Sequence, residues 1–406
     1  MLAVHVGVSL ATLACSSDPN AETGTEESTQ ASETNQSQTD TSTSADTEST
    51  AEDSETGEPD PISYTDPGAY AVGNVAIDLA DPRGLRDLRV ELWYPAGGDA
   101  SGAGQSLLDF EPVDPDASSL AALVDVAPDE CVRKQTGSDD APSLADIDGP
   151  WPTVVFSHCH GCARFSSFSL AEHLASHGFL VAAVDHEGST VFDQLAGQLP
   201  PLDVGTLDQR YTDVVRVIDE LLDPAATNLP AEFVGLADAE RLGMLGHSFG
   251  AVTTGKILQD DPRPRAGVAM AAPLENPVLP GIEMAAIEEP LMLFVAVEDN
   301  SITEFGNMAI RQNFSDANSP TWKLEFADTG HFAFSDLAGL SDYFAAGCGE
   351  GVRQTDDTDF TYADPFAVRA LAAGRIAAFF ALHLLGDDDA LEQLEANDPL
   401  LDIAVK

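Results

Sequence analysis

The strongest chemical signal in this sequence is a serine between two glycines, Gly-His-Ser-Phe-Gly at 246–250. A short apolar run precedes it and a small-residue segment follows, which predicts a buried strand, a sharp turn and a helix. In such a turn Gly246 and Gly250 have no room for a Cβ, and the Ser248 hydroxyl is lifted out of the sheet toward a helix N-terminus that favours negative charge. Ser248 is therefore predicted to be a nucleophile. The alternative is a turn in which Ser248 only caps the helix.

A serine nucleophile needs a base and an acid that orients it. His331 lies after the last strand-like run, downstream of Ser248, and a neutral imidazole can take the serine proton and return it to a leaving group. The acid is expected where the preceding apolar run ends. Asp299 is the first choice there, and its neighbour Glu298 stays open because a register shift of one residue would exchange the two.

The same chemistry requires two backbone N–H groups to hold an oxyanion. The first is expected from Phe249, directly after the nucleophile. The second is expected from His160, in the His-Cys-His-Gly-Cys loop. That loop also offers metal-ligating side chains on His158, Cys159 and Cys162 as well as His160. Their short spacing directly after a buried strand disfavours a four-ligand site, so neither a metal nor a cofactor is predicted.

Alternating strand-like and helix-like segments must position these residues. Strands are predicted at 88–96, 151–161, 180–186, 241–248, 266–273, 290–299 and 321–331, and helices at 166–179, 207–222, 250–259 and 364–386. Such alternation predicts an α/β fold with a mostly parallel central sheet and helices on both faces, whose ligands bind at the carboxyl ends of the strands. An insertion around 97–150 and the loop 187–205 are expected to shape the acyl site.

The N-terminal 60 residues differ from the rest of the chain. Residues 1–15 are apolar and end in Leu-Ala-Thr-Leu-Ala-Cys, which resembles a bacterial lipoprotein signal with Cys15 as the lipidated residue. Residues 16–60 are almost entirely polar and acidic, which predicts a disordered linker. We therefore expect residues 61–406 to form a catalytic domain that is exported and either lipid-anchored to the cell envelope or secreted. The oligomeric state is left open.

The charge excludes some classes of binding partner, and the cysteine content predicts disulfides. The formal net charge is −51, from 69 acidic and 18 basic side chains, which argues against nucleic acids and anionic membrane surfaces. In an exported protein the four cysteines after Cys15 can form disulfides, with three possible pairings. Pairing Cys131 with Cys348 and Cys159 with Cys162 is slightly preferred.

Four segments resemble the α/β-hydrolase superfamily, most of all the branch of the secreted platelet-activating-factor acetylhydrolases and related bacterial esterases. They are LWYPA, VVFSHCHGCARFSSFSLAEHLASHGFLVAAVDH, LGMLGHSFGAVT and GHFAFSD, and they occur in the family's order between about residues 70 and 386. The resemblance implies catalytic roles for Ser248 and His331 and an oxyanion hole formed by the amides of Phe249 and His160.

The sequence departs from that family at two places. The family's His-Gly at the end of the strand is His158-Cys159 here. The family's acid follows the strand after the nucleophile helix, where this chain has AGVAMAAPLENP with no aspartate. Asp299, at the later strand end, therefore gains weight, and Glu275 is the remaining candidate.

The sequence thus predicts a serine carboxylic-ester hydrolase that forms an acyl-enzyme. Candidate substrates are short acyl esters, phospholipid-like esters or polyesters. Two other classes stay open: a non-catalytic surface-binding lipoprotein on a hydrolase fold, and a metal-dependent hydrolase using the His158–His160 loop.

Overall fold

The computed structural model describes residues 62–81, 83–84, 86–111 and 117–406. The predicted signal segment 1–15, with Cys15, and the predicted linker 16–60 lie outside the described residues. The strands, numbered in chain order, are β1 Ala71–Leu79, β2 Leu88–Ala96, β3 Asp139–Asp140, β4 Trp151–Ser157, β5 Leu180–Val184, β6 Ala237–His247, β7 Ala266–Met270, β8 Leu291–Ala296, β9 Thr321–Phe326, β10 Glu350–Val352, β11 Asp359–Thr361 and β12 Leu401–Val405. The α-helices are α1 Ala117–Val126, α2 Phe168–Ser176, α3 Val191–Leu195, α4 Val204–Leu222, α5 Phe249–Asp260, α6 Thr303–Asp316, α7 Pro365–Phe380 and α8 Ala390–Leu394.

Ten of these strands form one sheet in the order β12-β9-β8-β7-β6-β4-β5-β2-β1-β3. The six central strands, β9 to β5 in that order, run parallel to one another. The outer strands β12 and β2 pair antiparallel with the central block, and β1 pairs antiparallel with β2. The predicted mostly parallel sheet is confirmed, and its antiparallel strands lie toward the edges.

Helices cover both faces of the sheet because successive strand residues point to opposite sides. Val268 and Met270 of β7 pack in the same core cluster as α2 and α7. Ala269, between them, packs with α5 and α6. Residues of α4 pack with Val155 of β4 in a third cluster. The strands are therefore buried on both faces, which explains their continuous apolar runs.

The helix that contains α7 is long and apolar enough to cross a membrane by length and composition alone. It runs from Pro365 through α7 into one π-helical segment that ends at Leu385. Within its most apolar window 72% of the residues are buried inside the protein. Its hydrophobicity therefore matches a core position against α2.

The described residues between 97 and 150 pack over the β2 side of the sheet. Phe110 stacks between Trp93 of β2 and Phe165, with ring centroids at 6.2 and 5.3 Å. The short strand β3 extends the sheet beyond β1. A disulfide joins Cys131 of this segment to Cys348, across 217 residues of sequence. The segment is thereby tied to the chain that follows β9.

Candidate active site

The turn between β6 and α5 holds Ser248 in a conformation that is rare for a residue with a side chain. Its φ is +56°, and its N–H donates to the carbonyl of Met270 at 2.8 Å. A Cβ on Gly246 would lie 2.1 Å from the carbonyl oxygen of Gly250, and one on Gly250 would lie 1.8 Å from that of Ser157. Both glycines are therefore sterically required. Backbone strain of this kind is typical of functional sites.

The structure brings Ser248, His331 and Asp299 together from three separate strand ends. His331 Nε2 lies 2.8 Å from Ser248 Oγ, and His331 Nδ1 lies 2.6 Å from Asp299 Oδ2. With Asp299 ionised, Nδ1–H donates to the carboxylate and Nε2 accepts from the serine hydroxyl. His331 and Asp299 are almost completely buried, whereas Ser248 is partly exposed. This arrangement can transfer a proton from Ser248 to His331.

Asp299 is held by its own turn. Its second carboxylate oxygen accepts from the amides of Ser301 and Ile302, at 2.8 and 2.9 Å. These two hydrogen bonds fix the orientation of the carboxylate toward His331. Its backbone carbonyl accepts from the side-chain amide of Gln354 at 2.6 Å.

The two alternative acids lie elsewhere. Glu298 pairs with Arg353 at 2.7 Å. Glu275 accepts from the amide of Met284 at 2.8 Å. Of the three carboxylates considered from the sequence, Asp299 is the one in contact with His331.

His247, next to Ser248, is fully buried. Its Nε2–H donates to the backbone carbonyl of His331 at 2.8 Å. Burial lowers the pKa of His247 to about 3, so the ring stays neutral at ordinary pH. His247 therefore fixes the backbone that carries His331. No pattern in the sequence predicted this contact.

The two amides predicted to hold an oxyanion lie on the β4 loop and at the start of α5. Among the described residues, neither the His160 nor the Phe249 N–H donates to a protein acceptor, so both are available to a ligand. The ring of His160 lies edge-on to that of Phe249, with centroids 6.1 Å apart. The carbonyl of His160 accepts from the hydroxyl of Tyr343 at 2.8 Å.

The His158–Cys162 loop does not gather its side chains around a metal. Cys159 and Cys162 form a disulfide, so both expected cysteine pairs are bonded. His158 Nδ1–H donates to the Cys159 carbonyl at 2.6 Å, and His158 Nε2 accepts from the His186 amide at 3.0 Å. His160 Nε2 bonds to the Pro200 carbonyl. Within the part of the chain that the structure describes, no group of three His, Cys, Asp or Glu side chains is arranged to hold a metal ion.

An apolar cavity of about 290 Å³ opens beside Ser248. Its walls come from the start of α5, the segment 272–279 after β7, and residues 301–309 at the start of α6. Val278 and Phe305 at this cavity are 68% and 64% exposed. The described residues that line it include no Asp, Glu, Lys or Arg. A larger cavity of about 580 Å³ is lined largely by charged side chains and does not include Ser248.

The expected contribution of residues 97–150 to this cavity is wrong for the residues described. None of them lines it, and of the loop 187–205 only Leu202 does. The described residues of the insertion pack over β2, whereas Ser248 lies at the end of β6, three positions away in the sheet order.

A second serine–histidine–aspartate set lies below the oxyanion loop. Ser157 Oγ is 2.8 Å from His186 Nε2, and His186 Nδ1 is 2.9 Å from Asp213 Oδ2. All three residues are at most 1% exposed. Asp213 also pairs with Arg86. Burial lowers the pKa of His186 well below its usual range and raises that of Asp213 to about 6.

Two residues at the site went unrecognised in the sequence. Arg210 of α4 donates to the carbonyls of His158 and Cys159, and Tyr343 donates to that of His160. A signal for Arg210 was available. It shares the helical face of Val214, Val217 and Leu221, where a charged residue interrupts an otherwise apolar stripe.

Known proteins resemble this chain in fold and, over part of its length, in sequence. A family profile for platelet-activating factor acetylhydrolase, isoform II, matches residues 130–194. The acetylhydrolase of Bos taurus is 30% identical over 155 residues, which cover 30% of this chain and 35% of that protein. The acetylhydrolase of Cavia porcellus is 29% identical over 150 residues, covering 30% and 34%. The chain thus matches about a third of the length of these relatives.

A solved structure has a similar fold over most of the chain. The ferulic acid esterase from Streptomyces cinnamoneus superposes with a TM-score of 0.60 and 22% identity, covering 82% of this chain and 96% of that one. The family profile includes β4, the oxyanion loop and β5, and it ends before Ser248. The chain therefore has the α/β-hydrolase fold and, over its central part, resembles the platelet-activating factor acetylhydrolases.

Proposed function

We propose that this protein is a serine hydrolase of carboxylic esters. The observation that carries the proposal is the hydrogen-bonded chain from Asp299 through His331 to Ser248, whose Ser248 end lines an open apolar cavity. The similarity to acetylhydrolases and to an esterase structure supports the same reaction class.

The proposed reaction follows from the contacts. Ser248 Oγ attacks the ester carbonyl as its proton moves to His331 Nε2, and Asp299 stabilises the resulting imidazolium. The carbonyl oxygen becomes an oxyanion that accepts from the amides of Phe249 and His160. As the intermediate collapses, His331 gives the proton to the departing alcohol, leaving an acyl group on Ser248. Water then gives a proton to His331 and attacks the acyl carbon, and the acid is released as the bond to Ser248 Oγ breaks and His331 returns the proton to Oγ.

The cavity indicates the substrate class. Its apolar walls and the lack of charged residues among those described favour an uncharged acyl or alcohol group beside the scissile bond. Short acyl esters, phospholipid-like esters and polyesters all satisfy this requirement. A free carboxylate on that group would be disfavoured by desolvation without a counter-ion.

We further propose that the enzyme is exported and carries a lipid on Cys15. The proposal is based on the apolar residues 1–15, the cysteine that ends them and the polar segment that follows. Expression in a bacterial host with labelled fatty acid would test it. Label in the wild type and none in Cys15→Ser is expected, and equal labelling of both would overturn it.

Labelling with a fluorophosphonate probe, followed by peptide mass spectrometry, tests the reaction. We expect the probe on the peptide that contains Ser248, no label in Ser248→Ala, and retained label in the matched control Ser157→Ala. Hydrolysis of p-nitrophenyl esters of increasing chain length would then measure the acyl preference. Folded protein that neither reacts with the probe nor hydrolyses any ester would favour the surface-binding alternative.

A further inference from the structure

Arg210 is a fully buried cation beneath the proposed oxyanion hole, with 1% of its surface exposed. Its Nη1 donates to the His158 carbonyl at 2.6 Å, and its Nη2 donates to the Cys159 carbonyl at 3.2 Å and to Ser189 Oγ at 3.0 Å. The guanidinium carbon lies 4.6 Å from the centre of the Phe249 ring. One side chain thus contacts both segments that carry the proposed oxyanion donors.

This arrangement is energetically costly. Within the described residues, no carboxylate lies within ion-pair distance of Arg210, and its Nε–H has no partner. The nearby Asp213 is bonded to Arg86 and His186 instead. Burial lowers the pKa of Arg210 to about 9, which reflects the cost of removing its charge from water. A buried, incompletely paired charge calls for an explanation beyond stability.

The hydrogen bonds to Cys159 aim the next amide. The Cys159 carbonyl accepts from Arg210, from His158 Nδ1 at 2.6 Å and from the Cys162 amide at 3.2 Å. In a planar trans peptide the C=O and the following N–H point in opposite directions. Donors gathered on the carbonyl side therefore turn the His160 N–H to the other side.

The buried serine–histidine–aspartate set supports the same peptide. His158 can donate from Nδ1 because its Nε2 accepts from the backbone amide of His186. His186 is fixed in turn by Ser157 and Asp213. Burial also lowers the pKa of His158 far below its usual range, which keeps this ring neutral and its tautomer constant.

We propose that Arg210 is the positioning residue of the oxyanion hole. It fixes the Cys159–His160 peptide through its carbonyl and contacts the ring of Phe249, so that both amides stay directed at one point. Its unpaired charge also lies behind the place where negative charge develops in the transition state. This inference rests on the proposed esterase activity.

Arg210→Met and Arg210→Lys test the inference. Arg375→Met is the matched control, because Arg375 is 3% exposed, donates to the carbonyls of Gln393 and Ala396, and also has an unpartnered Nε–H. The readouts are kcat and KM for a short p-nitrophenyl ester, and Ki for an alkyl trifluoromethyl ketone, whose adduct with serine carries an oxyanion.

For Arg210→Met we expect kcat to fall about 10- to 100-fold, Ki for the ketone to rise by a similar factor, and KM to change little. A smaller loss is expected for Arg210→Lys, and none for Arg375→Met beyond an effect on melting temperature. A loss that appears only in KM, or an unchanged kcat in folded Arg210→Met, would overturn the positioning role.

Three further outcomes are decisive. If Arg210→Met does not fold, Arg210→Lys decides, because it keeps the charge but cannot reproduce the forked contacts to two carbonyls. Folded Arg210→Lys with the wild-type kcat and Ki would overturn the inference. Wild-type protein that neither hydrolyses esters nor reacts with the probe at Ser248 would overturn the proposed function and this inference together. An active wild type with unaffected Arg210 variants would overturn only this inference.

Discussion

Two regions of the described structure contain a serine, a histidine and an aspartate at almost the same separations. In one, Ser248, His331 and Asp299 are joined at 2.8 and 2.6 Å. In the other, Ser157, His186 and Asp213 are joined at 2.8 and 2.9 Å. The hydrogen-bond geometry of the side chains therefore does not distinguish the two sets.

The surroundings of the two serines differ. Ser248 has a φ of +56°, lies at a helix N-terminus and lines an apolar cavity. Ser157 continues a regular strand and is fully buried, so no substrate can reach it. Under the proposed function, access, backbone conformation and nearby N–H donors distinguish the nucleophile Ser248 from Ser157. The same three side chains without those features stabilise a loop.

The strongest test of this comparison is to remove each hydroxyl in turn. Ser248→Ala should lower kcat by about 10⁵- to 10⁶-fold, because the attacking atom is lost. Ser157→Ala should keep kcat within about tenfold of wild type, because Arg210 still holds the oxyanion loop. It should cost about 1–3 kcal/mol of unfolding free energy by leaving His186 Nε2 without a hydrogen-bond partner, while Nδ1 keeps Asp213. Equal losses of kcat in the two variants would contradict the distinction.

The two aspartates offer the next largest contrast. Asp299→Asn should lower kcat by about 10⁴-fold, because an amide cannot stabilise the imidazolium and favours the wrong histidine tautomer. Asp213→Asn should leave most of kcat and instead reduce stability, since Arg86 loses its carboxylate partner. Steady-state kinetics and urea unfolding of both variants would measure this. A larger fall of kcat for Asp213→Asn would reverse the assignment.

Removing each disulfide in turn should affect two different quantities, the free energy of unfolding and kcat. Cys131–Cys348 spans 217 residues and Cys159–Cys162 spans three. Chain entropy then predicts stabilisation of about 5 kcal/mol for the first and about 2 kcal/mol for the second. We expect the double serine variant of the first pair to lose more unfolding free energy. The variant of the second pair should lose more kcat, because this pair lies in the oxyanion loop. The opposite pattern would argue that the loop is fixed without its disulfide.

The smallest expected effect is on how the free energy of unfolding changes as the pH falls. Burial keeps His186 neutral, so below about pH 6.5 the unfolded chain takes up a proton that the folded protein does not. This lowers stability by about 1.4 kcal/mol per pH unit on acidification. Asp213, with its raised pKa, acts in the opposite sense below about pH 6. His186→Gln should therefore lose less stability than wild type between pH 6.5 and 5. Urea unfolding at several pH values would measure this, and an equal loss of unfolding free energy in the wild type and in His186→Gln would contradict it.

The sequence predicted the parallel core of the fold but not its edges. Strands with continuous apolar runs, such as β8, were recognised because both of their faces are buried. β1 and β12 were missed, since edge strands alternate less clearly and gain stability from pairing with a neighbour. Helix α6, which forms part of the cavity wall, was also missed, because its apolar residues are few.

For the site, the sequence predicted those residues whose type is required by a local turn or by proton transfer. The glycines at 246 and 250, the serine between them and the later histidine follow from the needs of a sharp turn and of proton transfer. Only the tertiary structure decided which carboxylate meets His331, which cysteines pair and which segments line the cavity, because those contacts join parts of the chain far apart in sequence. The role inferred for Arg210 belongs to this second group. Its position depends on how α4 packs beneath β4, which no local pattern specifies.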